Sequence, residues 1–274
     1  MATALVTGGT SGIGAQFARQ LAARGFDLVL VARDEERLDA VAAELHAASG
    51  IHVETLRADL GDRSDVDRVA RRIEDPDRPI DVVINNAGFG VHQGFTEGDP
   101  AVHDHAFEVM CRAVLVLSSA AARAMVPRGS GTILNVSSLQ TYLATGSYAA
   151  IKAWVTAFTQ GLAVELHGTG VTVTALLPGW VSTEWHARAG VRTSSIPDWL
   201  WTEPDVVVRL ALRDVDRGRV ISIPTVRYRV LGWFARHLPR FTVRWISRRL
   251  TARRRAPGPQ SVGSEHPVVD RKDD

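Results

Sequence analysis

The sequence predicts a doubly wound α/β fold, a single domain built on a seven-stranded parallel sheet with helices on both faces, followed by a basic C-terminal helical extension. Three observations carry this expectation. Short aliphatic and β-branched runs alternate with longer stretches of helical periodicity through the first 223 residues, the pattern of strands buried on both faces. A glycine-rich turn joins the first such run to the first helical stretch. The chain is also large enough, at 274 residues with 45% hydrophobic and 23% charged side chains, to bury one full core.

Element by element, the first strand is expected at Ala4–Thr7 and runs through the glycines into a helix over 12–24. Asp27–Val31 is the second strand, after which Asp34 stands as helix N-cap for 34–48. Ile51–Arg57 and Ile80–Asn85 frame a helix at 64–74, and the apolar stretch 100–126 leads to a strand at Gly131–Ser137. The next helix, 147–167, is followed by a strand at Val171–Leu177. Thr202-Glu203-Pro204-Asp205 opens the helix at 203–214 with a hydroxyl cap, a proline in the first turn and acids at the positive helix end. Arg219–Ile223 closes the sheet, so the dinucleotide-binding catalytic domain is expected to span 1–225.

Two segments depart from this rhythm. Residues 179–201 are long for a connection, and they carry Trp180, Trp185, Trp199 and Trp201, which marks a substrate loop or lid. Residues 226–255 place Trp233, Phe234, Phe241, Trp245, Ile246 and Leu250 at helical spacing among arginines, with Pro239 as a break. Beyond that, 256–274 reads as a disordered tail.

Composition narrows the function classes. No run approaches the ~20 consecutive apolar residues of a membrane span, and Met1-Ala2-Thr3 lacks a basic leader, so a cytoplasmic protein is expected. The one cysteine, Cys111, cannot form an internal disulfide and reads as a packed thiol. From Arg227 onward twelve cations face four acids, a balance of +8, which leaves −6 for residues 1–226 of a chain whose formal charge is +2. An acidic body argues against nucleic acid as a partner.

The turn Thr7-Gly8-Gly9-Thr10-Ser11-Gly12-Ile13-Gly14 brings backbone N–H groups and a helix N-terminus to a place where a pyrophosphate fits and side chains would collide. A dinucleotide site is implied; an ordinary glycine-rich turn is the plain alternative. After the second strand, Ala32 cannot bond a ribose 2′-OH, whereas Arg33 can pair with a 2′-phosphate. NADP(H) is therefore favoured, with NAD(H) left as the alternative and a solvated surface arginine as the bland reading.

Ser147-Tyr148-Ala149-Ala150-Ile151-Lys152 sets a phenol and an amine four residues apart on one helix face, where the ammonium is expected to lower the phenol pKa. Asn135-Val136-Ser137-Ser138 places a hydroxyl at the carboxyl edge of the sheet, ten residues before Tyr148. Singly these are commonplace. Together, in a chain with two lysines among thirty-two Lys and Arg, they make Ser138, Tyr148 and Lys152 the catalytic candidates.

Thr7 to Gly14, Asn85-Asn86-Ala87-Gly88, Ser138, Tyr148-x-x-x-Lys152 and Pro178-Gly179, in this order, resemble the short-chain dehydrogenase/reductase family across about residues 3–223. The resemblance implies a single Rossmann domain in which Tyr148 moves the alcohol proton, Ser138 orients the carbonyl, and Lys152 lowers the Tyr148 pKa while binding nicotinamide ribose. It further implies Asp59 and Leu60 beside adenine, Asn85, Asn86, Ala87 and Gly88 along the cofactor cleft, and Pro178, Gly179, Val181 and Thr183 near the carboxamide. Tyr148 and Lys152 count among the cofactor contacts as well.

Three departures stand out: Met110 where an Asn commonly supports a relay water, a Ser138–Tyr148 interval about three residues short of the family's usual one, and the cationic extension. The expected activity is hydride transfer between NADP(H) and a hydrophobic ketone, aldehyde or secondary alcohol. The alternative is a dinucleotide-binding regulatory or scaffold protein with little catalysis, which Met110 and the extension motivate. Homo-oligomers are expected through the helices near 100–126 and 147–167. His103 and His105 read as a helix start and not as a metal pair, and no metal is expected. The basic extension suits either an interfacial helix on anionic lipid or docking on the body or a sister subunit.

Overall fold

The computed structural model describes residues 1–91, 93–96, 98–182 and 197–255, the last six by backbone alone. One all-parallel sheet is formed by β1 (Thr3–Thr7), β2 (Asp27–Ala32), β3 (Val53–Arg57), β4 (Val82–Asn85), β5 (Gly131–Val136), β6 (Val171–Leu176) and β7 (Ile221–Ser222). Its order is β3-β2-β1-β4-β5-β6-β7, so the winding reverses between β1 and β4. Ligands of such sheets bind in the crevice that this reversal opens at the carboxyl ends of the strands.

The two-residue period of a strand builds two cores from one sheet. On β1, Ala4 and Val6 face one layer and Leu5 the other; on β2, Leu28 and Leu30 join the first pair while Val29 and Val31 join Leu5. The first layer is covered by α1 (Gly12–Ala23), α2 (Glu35–Ser49) and α7 (Pro204–Val215), the second by α3 (Arg63–Ile73), α5 (Ala113–Met125) and α6 (Ser147–Glu165). Asp34 and Asp62 cap α2 and α3 by accepting backbone N–H groups of their first turns.

Some element limits differ from the sequence expectation. Ile51 and Ile80 are buried but precede the ladder, so β3 and β4 begin at Val53 and Val82. The helix expected over 100–126 is α4 (Pro100–Phe107), a π turn at Glu108–Arg112, then α5, which ends in a 3-10 turn at Val126–Arg128. The wide turn lets the consecutive Val109, Met110 and Cys111 all point inward. Pro100–Arg128 has the length and apolarity of a membrane span, yet 56% of its most apolar window is buried, which makes it a core helix. The hydroxyl cap expected from Thr202 is not formed. Thr202 instead pairs with Val181 in a parallel bridge and accepts a hydrogen bond from Arg227, so α7 starts at Glu203-Pro204 without a side-chain cap.

The basic extension folds as α8 (Val226–His237) and α9 (Arg240–Arg255), separated at Leu238-Pro239 where Leu238 is extended. Tyr228 anchors it. Its phenol accepts from the Trp180 N–H at 2.9 Å and donates to the Leu200 carbonyl, and its ring fills the space over Gly179, where a Cβ would lie 2.0 Å from Cζ. The residues 256–274 lie outside the described chain.

Candidate active site

The glycine loop follows β1 directly. Gly8 sits at φ +64° and Gly12 at φ +55°, a region side chains disfavour. Gly14 has a different reason: a Cβ there would stand 2.1 Å from the Gly8 carbonyl oxygen. Ser11, the N-cap of α1, makes no side-chain cap, so the first-turn N–H groups and the positive helix end remain for an anion. Thr10, Ser11, Gly12 and Ile13 keep partial exposure along this edge. A dinucleotide phosphate fits this cradle on its backbone alone.

The loop is braced by contacts between two of the motifs that the sequence singled out. The Thr7 hydroxyl accepts the N–H groups of Asn86 (2.9 Å) and Ala87 (3.0 Å) and donates to the Ile84 carbonyl. Asn86 returns the contact, its amide donating to the carbonyls of Thr7 (3.0 Å) and Gly8 (3.3 Å). Asn85 departs from its expected place along the cleft. Being on the opposite face of β4, it is buried and donates to Asn135 (2.9 Å) and Ser118 (3.1 Å), with Thr159 closing this polar network beneath the sheet edge.

At the ends of β5 and α6, the structure brings Ser138, Tyr148 and Lys152 together. Ser138 lies close enough to the Tyr148 phenol to favour its ionised form, and the Lys152 ammonium lies 5.7 Å from the Tyr148 ring centre. Lys152 donates to the Val136 carbonyl at 2.9 Å, which fixes its stem. The Ser137 hydroxyl bonds the Lys152 carbonyl and the Thr156 hydroxyl, each at 2.7 Å, and so pins the first turns of α6 to β5. Thr156, one turn beyond Lys152 on the same face, was the available signal for this brace.

The electrostatics differ from the expected lowered phenol. Burial pushes Tyr148 up to about 12, with the Ser138 hydroxyl pulling against it, while burial brings Lys152 down to about 8. Met110 is buried against Gly88, where a Cβ would meet its sulfur at 3.0 Å and the Lys152 ammonium at 3.7 Å. This inner wall is therefore apolar. Cys111, next to it, is raised to about 11 by burial and stays a thiol.

Lys152 thereby makes stability depend on pH. An unfolded lysine holds its proton up to the ordinary value of 10.5, whereas the folded one releases it near 8. Between these values the unfolded chain binds more protons, so the Lys152 contribution to stability rises with pH. The Tm difference between the native protein and Lys152→Met should move in favour of the native protein from pH 8 to 10, followed by differential scanning fluorimetry; a difference that does not change with pH would contradict this.

Arg33 is exposed at the end of β2, and Arg37, one turn into α2, donates to the Thr10 carbonyl at 3.3 Å. Asp59 follows β3 and turns its carboxylate onto the Gly61 N–H, while Leu60 is packed in the core. On the opposite side, Pro178 accepts from the Leu139 N–H at 3.0 Å, linking the stretch after Ser138 to Pro178-Gly179. Val181 is buried in the first-layer core. Thr183, like Glu184, Trp185 and His186, lies outside the described residues. Trp180 and Trp201 face each other at 6.1 Å, and Trp199 is exposed. His103 is bonded to Ser147 at 2.7 Å, and His105 packs over Phe89.

Residues 2–192 match the family model described as short chain dehydrogenase. An uncharacterized oxidoreductase of Staphylococcus saprophyticus is 36% identical over 194 residues, 68% of this chain and 83% of that protein. A solved short-chain dehydrogenase from Sphingobium yanoikuyae in complex with NADPH is 34% identical with a TM-score of 0.79, covering 97% of this chain and 99% of its own. The bulky-bulky ketone specific alcohol dehydrogenase from Comamonas testosteroni is 29% identical with a TM-score of 0.74, covering 98% and 99%. Alignments of that extent run into residues 226–255.

Proposed function

The chain belongs to the short chain dehydrogenase family of oxidoreductases, and on that premise we propose that it is an NADP(H)-dependent enzyme acting on bulky, hydrophobic ketones, aldehydes or the matching secondary alcohols. The observation that carries this reading is the meeting of Ser138, the Tyr148 phenol and the Lys152 ammonium, the last 5.7 Å from the Tyr148 ring centre, at the sheet edge beside the glycine loop. When bound, NADP(H) supplies or accepts the hydride. Gly8 to Gly14 would hold its phosphates, and Lys152 would be the residue to bind its ribose. Ser138 holds the substrate oxygen by a hydrogen bond. Tyr148 gives its proton to that oxygen as negative charge develops there, and the Lys152 ammonium and the Ser138 hydroxyl then stabilise the phenolate. A phenol held near 12 rests protonated, ready to give a proton to a carbonyl oxygen.

The cofactor choice is supported by Arg33 and Arg37 around the end of β2 and by the NADPH in the Sphingobium relative. Arg33→Ala should raise the KM for NADPH by about tenfold or more, the worth of one charge-assisted pair, and leave NADH nearly unaffected. Equal changes for both cofactors would return Arg33 to an ordinary surface role. The bulky substrate is supported by Trp180 and Trp201 beside the Pro178-Gly179 corner and by the Comamonas relative's ketone specificity. Assembly with a second copy is supported by Trp154 and Phe158 stacked at 5.0 Å, with half-exposed Phe107 against Trp154.

The test is NADPH oxidation across ketones graded by the size of both substituents. Turnover that grows with bulk is expected. Tight NADPH binding without reduction of any carbonyl would replace this reading with the regulatory one, which the apolar Met110 wall favours.

A further inference from the structure

The inner side of the α8–α9 pair is fully used. Tyr228, Gly232, Val243 and Ser247 are buried; Gly232 packs on Leu139, and Ser247 accepts the Ala144 N–H at 3.0 Å. The outer side is left apolar nonetheless. On α8, Val226, Val230, Trp233 and Phe234 are 50–66% exposed and fall within one arc of the helix, flanked by Arg229 and Arg236. On α9, Phe241 (68%) and Trp245 (52%) stand outward among Arg244, Arg248 and Arg249, with Arg249 stacked on Trp245 at 4.0 Å. Ile246, which the sequence grouped with these aromatics, turns partly inward beside Ser247, and Leu250 is outside the described side chains.

Charge separates the candidate occupants of this face. Arg229, Arg236, Arg240, Arg244 and Arg248 have no carboxylate partner among the described residues, while the chain up to residue 226 carries −6. The partner must be anionic and also admit indole and phenyl rings to some depth. A second copy's acidic body would meet the arginines but leave the rings in water. Nucleic acid would stack on the rings but has no use for Val226, Val230 and Leu231. A bilayer with anionic headgroups satisfies both demands, the rings at the acyl boundary and the guanidiniums among phosphates.

We propose that the outer face of α8 and α9 is a docking surface for an anionic lipid bilayer. The opposite charge of the body orients the molecule, extension first, toward such a surface. Because Gly232 and Ser247 pack on Leu139 and Ala144, just after Ser138, docking also sets the substrate side of the cleft beside the membrane. That consequence rests on the function proposed above; lipid binding itself does not.

The experiment is co-sedimentation of the full chain with vesicles of phosphatidylcholine alone or mixed with phosphatidylglycerol, at low and high salt. The protein is compared with Trp233→Ser/Phe234→Ser and with Arg236→Gln/Arg240→Gln/Arg244→Gln, and unfolding curves check that each exposed-site variant folds. Salt-sensitive recovery on the anionic vesicles, reduced at least about tenfold in both variants, is the expected result. Several results would overturn the proposal: no recovery, equal recovery on neutral vesicles, or displacement from the vesicles by single-stranded RNA. So would an aromatic variant that changes the mass in solution but not vesicle binding, which assigns the face to a second copy. Carbonyl reduction measured without vesicles in the same preparations reports on the catalytic reading separately.

Discussion

Tyr148→Phe is expected to abolish steady-state NADPH oxidation, lowering kcat by about 10²–10⁴-fold, the usual worth of a positioned acid or base. The phenyl ring left by the substitution would keep its place beside the Lys152 ammonium, and only the hydroxyl next to Ser138 is lost. Cofactor affinity should consequently change little, because the glycine loop and the bracing contacts of Thr7 and Asn86 are remote from that oxygen. NADPH fluorescence titration alongside turnover reads the two effects apart. A variant with native kcat would remove Tyr148 from the chemistry, and a variant that no longer binds NADPH would make its role structural.

Gly14→Ala is the second large effect. The added methyl would stand 2.1 Å from the Gly8 carbonyl oxygen and 2.4 Å from the Asn86 amide nitrogen. The first neighbour is backbone, and the second is a side-chain end tied by hydrogen bonds to the carbonyls of Thr7 and Gly8. The start of α1 must move away from β1, at a cost of about 1–3 kcal/mol by analogy with overpacked cores, and the first-turn N–H groups move with it. The Tm should fall, and NADPH affinity should fall by more than tenfold, while Gly161→Ala, with open space at its Cβ position and no left-handed backbone, serves as a glycine control outside the loop. Unchanged affinity at a lowered Tm would show that the cradle tolerates the shift.

The parts of this architecture that were legible in the sequence are those written in local spacing. Gly8, Gly12 and Gly14 lie within one turn and the start of a helix, and Tyr148 and Lys152 lie on successive turns of one. The bracing contacts could not be read that way. Thr7 to Asn86 spans 79 residues and Asn85 to Asn135 spans 50, and at that separation only strand order decides which polar groups meet. The π turn was hidden for another reason: Val109, Met110 and Cys111 are apolar and continue the helical pattern on either side, so periodicity alone does not reveal the extra residue. The sign of the Tyr148 shift depended on burial, which a spacing of four residues does not disclose, and the lysine beside it was too readily credited with setting the balance.

Tyr228 has a consequence for how this scaffold can diversify. A single phenol ties the backbone at Trp180 to that at Leu200, and the neighbouring Arg227 guanidinium holds the carbonyls of Trp199 and Trp201. Both shores of the intervening stretch are thus moored to the first turn of one helix. A replacement cassette of different length or chemistry could be set between them without shifting Ser138, Tyr148 or Lys152. Selection for new clientele would then act on that insert, whereas loss of the mooring helix would unfasten both banks at once.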